Sequence, residues 1–181
     1  MLIKEMTVTE CYHALAHLNF ARLGCSLNNQ PYITPIFFAF DGEHLYGSDI
    51  YCFSKMGQKI AWMRSNPLVC VEIDEVKSQW DWMSIVILGH YEELTDTLEH
   101  EGARRHAYEL LRERAVWWEP AAVSVAHSEE HEGLSPIYYR IFIDELTGRR
   151  GMPEPQKIPR PTAQSWLSGI LRHVRGHGLR T

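Results

Sequence analysis

No run of about 18 apolar residues occurs anywhere in the 181-residue chain, which excludes a helix that spans a membrane. The opening residues, MLIKEMTVTE, hold no hydrophobic core of a secretion signal. The four cysteines, Cys11, Cys25, Cys52 and Cys70, form no C-x-x-C pair. Without an export signal they read as reduced, packed thiols. No G-x-x-x-x-G-K-[ST] is present, so a Walker phosphate loop is excluded. There is no internal repeat. Excess basic charge is missing too: 18 Lys and Arg against 23 Asp and Glu leave −5, which argues against general nucleic-acid binding. The expectation is a soluble cytoplasmic protein.

What remains is ample material for a core. The chain is 45% hydrophobic and 11% aromatic, and its length suits one domain with a tail. The composition changes after Gly151. MPEPQKIPRP has four prolines in ten residues and reads as an extended linker. Thr162 to Val174 reads as a short amphipathic helix. The division expected is a folded domain over 1–150 and a linker with a short helix over 151–181.

The most telling stretch is Tyr46 to Pro67, YGSDIYCFSKMGQKIAWMRSNP. It reads as the end of a strand, a polar loop with Ser48, Ser54, Lys55, Gly57, Gln58 and Lys59, then a short helix closed by Asn66-Pro67. Hydroxyls, ammonium groups and a helix N-terminus are what a phosphate needs. A polar surface loop would have the same composition.

Around it, Thr7 to Glu10 forms a candidate capping box ahead of a helical stripe. Strands are expected at Phe20 to Leu27, Pro31 to Phe40, His44 to Ser48, Leu68 to Asp74, Trp80 to Leu94 and Ile137 to Leu146, with a helix over Leu98 to Arg114. Asn28-Asn29 and Asp41-Gly42 read as turns. Pro35 inside the second strand marks an edge or an opening toward something other than a strand. Gly89 inside the fifth suggests a bulge or a barrel corner. Six strands joined by short hairpins fit a small antiparallel barrel, with an open α+β sheet as the alternative.

Several pieces then occur in a characteristic order. They are Arg22-Leu23-Gly24, P-Y-x-x-P-I-x-F at Pro31 to Phe38, D-G-x-x-L-Y at Asp41 to Tyr46 and G-x-K at Gly57 to Lys59. N-P-x-V-x-x-E-I-D at Asn66 to Asp74, W-x-S-x-x-x-x-G at Trp82 to Gly89 and L-T-G-R at Leu146 to Arg149 complete the set. Over residues 10–150 this resembles the pyridoxamine 5'-phosphate oxidase-like FMN-binding split-barrel family, with the 5-nitroimidazole reductase branch the nearest in pattern. The resemblance implies a mainly β fold with peripheral helices, a six-stranded antiparallel split β-barrel. It implies a homodimer with FMN in a groove between subunits. Carried onto matching positions, the backbone around Pro35, Ile36 and Phe37 would face the isoalloxazine edge. Tyr46, Gly47 and Ser48 would run along the ribityl phosphate, beside Gln58 at the helix start. Lys59 would pair with the phosphate, with Lys55 as the alternative because the loop Asp49 to Met56 reads as long. Trp82 and Ser84 would approach the ring from the fifth strand, from the same subunit or its partner.

The C-terminal R-L-H-type motif of true pyridoxamine phosphate oxidases is absent, which speaks against vitamin B6 oxidation. The expectation is an oxidoreductase taking electrons from NAD(P)H to a small aromatic acceptor such as a nitro compound or quinone. Alternatives are a reductase using deazaflavin F420 in the same groove and a flavin- or haem-binding carrier or sensor. No side chain stands out as catalytic. His127 to His131 matches H-x-x-E-H, and His13 and His17 are four apart, but neither has the surroundings of a metal site; no metal is expected. The large apolar surface of Trp62, Trp80, Trp82, Trp117 and Trp118 also favours a homodimer.

Overall fold

The computed structural model describes residues 2–42, 49–114 and 136–153. In chain order the described residues form β1 (Leu2–Glu5), α1 (Val8–His17), β2 (Phe20–Leu27), β3 (Gln30–Phe37), β4 (Ala39–Asp41), β5 (Asp49–Ser54), α2 (Gln58–Ser65), β6 (Leu68–Ser78), β7 (Asp81–Leu94), α3 (Glu101–Glu113) and β8 (Ile137–Met152).

The strands pair antiparallel in the order β3-β2-β6-β7-β8-β5-β4, and β1 lies against the last residues of β8. β3 and β4 stand at opposite ends of this order, yet only Phe38 separates them in the chain. The sheet must therefore curl until its two ends adjoin. That makes it a barrel split between β3 and β4 rather than an open sheet. Phe38 is buried at the join, and its N–H donates to the Asn19 carbonyl at 3.0 Å. The expected fold is thus present: mainly β, antiparallel, with helices at the periphery.

The strand count differs from the six expected. The second expected strand breaks at Phe38 into β3 and β4, which belong to different ends of the sheet. β1 was not anticipated. The stretch read as the start of a polar loop, Asp49–Ser54, is a strand between β4 and β8, and Asp49 to Cys52 are all buried. Its acid is satisfied by a tertiary partner: Asp49 accepts from Arg140 at 3.4 Å. The third expected strand, His44 to Ser48, lies outside the described residues, as do the loop with His127 and His131, Trp117, Trp118 and the tail beyond Pro153.

Local chemistry explains the rest. Thr7 and Glu10 form the expected capping box on α1: the Thr7 N–H donates to the Glu10 carboxylate at 2.8 Å, and the Glu10 N–H donates to the Thr7 hydroxyl at 3.2 Å. Asn28 and Asn29, with φ of 50° and 64°, close the two-residue β2–β3 turn, where two positive φ values match the strand twist. Pro31 and Pro35 both fall on β3, the end strand. A missing N–H is tolerated there.

One face of the sheet is the core. Ala21, Leu23 and Cys25 of β2 join Val69, Val71 and Ile73 of β6, Ile85 and Ile87 of β7, and Tyr139 and Ile141 of β8. α1 adds Cys11 and Leu15, and α2 adds Ile60 and Met63. A smaller cluster of Tyr51, Leu94 and Ala107 seats α3 on the other side of β5.

Candidate functional site

α2 is fixed at its C-terminal end. The Arg64 guanidinium grips the Glu93 carboxylate through two bonds of 2.7 Å, and the Tyr91 hydroxyl donates to the same carboxylate at 2.7 Å. The Asn66 side-chain amide donates to the Ser26 carbonyl at 3.0 Å. Beside Arg64 the Glu93 carboxyl is held below its ordinary range. At the N-terminal end of α2, Gly57 and Gln58 are exposed while Ile60 is buried.

That end has no built-in neutralisation. Gly57 is the N-cap and supplies no side-chain hydrogen bond, and the first turn holds no acid. Lys59 sits in that turn, half-buried beside the Cys25 and Cys52 thiols, and burial holds its ammonium below the usual lysine range. It forms no ion pair among the described residues. A desolvated cation added to the positive end of a helix is unfavourable alone and favourable with an anion. Gln58 precedes it, exposed. Lys55 is exposed, ahead of the helix. Cys52 is no nucleophile, since burial pushes its thiol up to about 12.

The end strand β3 carries Pro35, Ile36 and Phe37. Ile36 is buried in the barrel, so only its backbone can meet a ligand. Pro35 is exposed, and the Phe37 ring packs edge-on against Phe20 at 5.4 Å. The side of β3 away from β2 pairs with no strand among the described residues. This agrees with the reading of the proline-interrupted strand.

Trp82 and Ser84 lie together on the outer face of β7. They line a groove of about 670 Å³ with Glu5, Met6, Val86, Leu146 and Arg149 among its walls. The indole covers Gly151, where an added Cβ would come within 2.4 Å of Trp82 Nε1. The Ser84 hydroxyl donates to Glu72 Oε1 at 2.9 Å, and Arg22 bonds both Glu72 and Asp74.

The structure does not bring the two halves of the expected site together within one chain. Lys59 neighbours Cys25 on the core side, and Cys25 lies opposite Val69. Ser84 lies opposite Asp74 on the outer side. These rows are five positions apart along β6, about 17 Å at strand rise. Tyr46, Gly47 and Ser48 lie outside the described residues.

Three arrangements had no local signal. Glu72 and Asp74 together hold Arg22. The Asp41 carboxylate, buried at the end of β4, meets His106 Nε2 of α3 at 2.7 Å. The bulge opposite Leu88 and Gly89 lets Asp144 meet His90 Nδ1 at 2.9 Å, with the His90 ring stacked on Phe142 at 4.6 Å. On α1 the rings of His13 and His17 stack at 4.6 Å. No three metal-ligating side chains converge among the described residues.

An antiparallel barrel split between its two end strands, with helices packed on its core, defines a class of small barrel proteins. A family profile described as pyridoxamine 5'-phosphate oxidase matches residues 7–150, and the chain belongs to that family. An uncharacterized protein of Rhizobium meliloti (strain 1021) is 40% identical over 149 residues, covering 82% of this chain and 95% of its own length. Among solved structures, a FAD-binding protein of Mesorhizobium loti superposes with a TM-score of 0.66 at 33% identity, covering 84% of this chain and 99% of that one. A candidate 5-nitroimidazole antibiotic resistance protein of Bacteroides thetaiotaomicron shares the fold at a TM-score of 0.56 and 16% identity, over 82% and 87% of the two chains. No helix among the described residues is long and apolar enough to cross a membrane.

Proposed function

We propose that this chain is an FMN-binding oxidoreductase that takes electrons from a reduced nicotinamide and passes them to a small aromatic acceptor. The observation that carries this reading is Lys59, a desolvated ammonium with no ion pair among the described residues, in the first turn of a helix without an acidic cap. A terminal phosphate supplies the missing charge, roughly −1.5 to −2 near neutral pH. The FAD-binding relative from Mesorhizobium loti supports a flavin, and the single lysine suits the monophosphate form. Bound flavin would supply the redox chemistry, while the chain places and shields it. The Pro35–Phe37 backbone borders the ring, Gln58 and Lys59 hold the phosphate, and Trp82 and Ser84 shape the substrate side.

Purified protein is expected to show flavin absorption bands that bleach anaerobically on NADH addition. Released cofactor should co-migrate with FMN on chromatography. A colourless protein that binds no added flavin, or one with a Soret band, would overturn the reading. Released FAD would replace FMN and retain the rest.

The two halves of the site belong to one centre if a second copy of the chain supplies Trp82 and Ser84. The outer sheet face supports such a copy. Ile33, Leu68, Val76, Leu88 and Phe20 are 71%, 66%, 67%, 46% and 43% exposed, a large apolar area for a barrel this small. Pairing two such faces around a twofold axis buries them. Sedimentation at micromolar concentration should return twice the chain mass of 21.0 kDa. A monomer that still binds flavin tightly would exclude the two-subunit site.

A further inference from the structure

We propose that the groove at the β1 end of the outer face is a binding site for a planar aromatic ring bearing one carboxylate. Arg149 would serve as its cation and Trp82 as its stacking wall. The volume of about 670 Å³ falls in the range of small-molecule sites. Its walls are mostly apolar, with Met6, Val86 and Leu146 lining it along with Trp82. The cations around it differ in state. Arg22 is held by Glu72 and Asp74, and Arg150 lies 3.7 Å from Glu10. Arg149 lines the groove and pairs with no carboxylate among the described residues. A guanidinium recognises a carboxylate through two parallel N–H bonds.

The Ser84 proton is committed to Glu72, which leaves the hydroxyl's lone pairs to accept from a ligand N–H or O–H. Glu5 on β1 stands directly opposite Arg149 on β8 and lines the same groove. It repels a second negative charge, so a monocarboxylate is favoured over a phosphate monoester. Calling this ligand the electron acceptor rests on the flavin reading; the groove and its charge do not.

The test is calorimetric titration of the purified full-length chain with 2-naphthoate, 2-naphthamide and 2-naphthyl phosphate. Naphthoate should bind at least about tenfold tighter than the amide, as one charge-assisted pair implies. Arg149→Gln should abolish that ratio without changing FMN affinity. Trp82→Leu should weaken all three ligands and keep the ratio. Glu5→Gln should narrow the gap between carboxylate and phosphate. Equal binding of acid and amide, or a ratio that survives Arg149→Gln, would overturn the assignment. So would mutual displacement of naphthoate and FMN, because the groove would then hold the flavin. A protein that binds no flavin yet discriminates acid from amide through Arg149 would sink the flavin reading alone.

Discussion

Lys59→Ala is expected to weaken FMN binding by about 10- to 100-fold and to leave riboflavin binding nearly unchanged. One charge-assisted hydrogen bond contributes about 1.5–3 kcal/mol, and each 1.4 kcal/mol is about tenfold. Riboflavin has no phosphate and so gives up nothing. Lys59 is half-buried and its ammonium lies within electrostatic reach of Cys25 and Cys52, so Lys59→Met is the companion variant that keeps an apolar stem and removes the charge. Lys55→Ala should cost less, because Lys55 is exposed ahead of the helix. Burial lowers the Lys59 pKa in the free protein. The bound phosphate favours the charged form, so FMN affinity should fall as pH rises through that lowered value, before an ordinary lysine would titrate. Fluorescence titrations of flavin-free protein across pH read all of this. A larger loss from Lys55→Ala than from Lys59→Ala would move the phosphate off the helix start. Equal losses for FMN and riboflavin would remove the phosphate from this end of the barrel.

The parts of this fold written in local code were legible in the sequence. The Thr7–Glu10 capping box, the Asn28-Asn29 turn, Pro35 on an end strand and the irregularity at Gly89 each follow from backbone chemistry within a few residues. The short helix between Gly57 and Asn66-Pro67 was legible for the same reason, since a proline after Asn66 ends a helix. The misreadings are non-local. DIYCFS reads as a loop because its acid and hydroxyls suggest water, but Asp49 is satisfied by Arg140, 91 residues away. Pro31 to Phe40 reads as one strand because nothing at Phe38 signals a break. The break comes from closing the barrel, a property of the whole sheet. Arg22 with Glu72 and Asp74, and His106 with Asp41, join positions at least 50 residues apart. Trp82 and Ser84 were placed on the right strand. Their separation from Lys59 depends on which sheet face each side chain takes, and periodicity does not fix that across a bulge.

Gly89→Ala is expected to destabilise the barrel by about 2–3 kcal/mol, the cost of forcing an atom into packed structure. For a chain of this size that lowers Tm by roughly 5–10 °C, at about 2–4 °C per kcal/mol. A Cβ at Gly89 would lie 2.1 Å from the Phe142 carbonyl oxygen and 3.1 Å from Ile141 Cγ2. The first obstacle is backbone of β8, paired along its length with β7, and cannot swing aside as a side-chain tip can. β7 and β8 shift register at this point. Glycine thus lets the two backbones approach closely where the barrel turns, and the same irregularity seats Asp144 against His90. Gly102 is the control. It lies within α3, and an added Cβ there meets nothing within 4 Å. Gly102→Ala should stabilise by about 0.5–1 kcal/mol, because alanine loses less backbone freedom in a helix. Thermal melts of both variants followed by circular dichroism decide it. A Gly89→Ala protein that melts with the wild type would mean that β7 and β8 can separate locally, and the close approach would then not be what shapes the barrel.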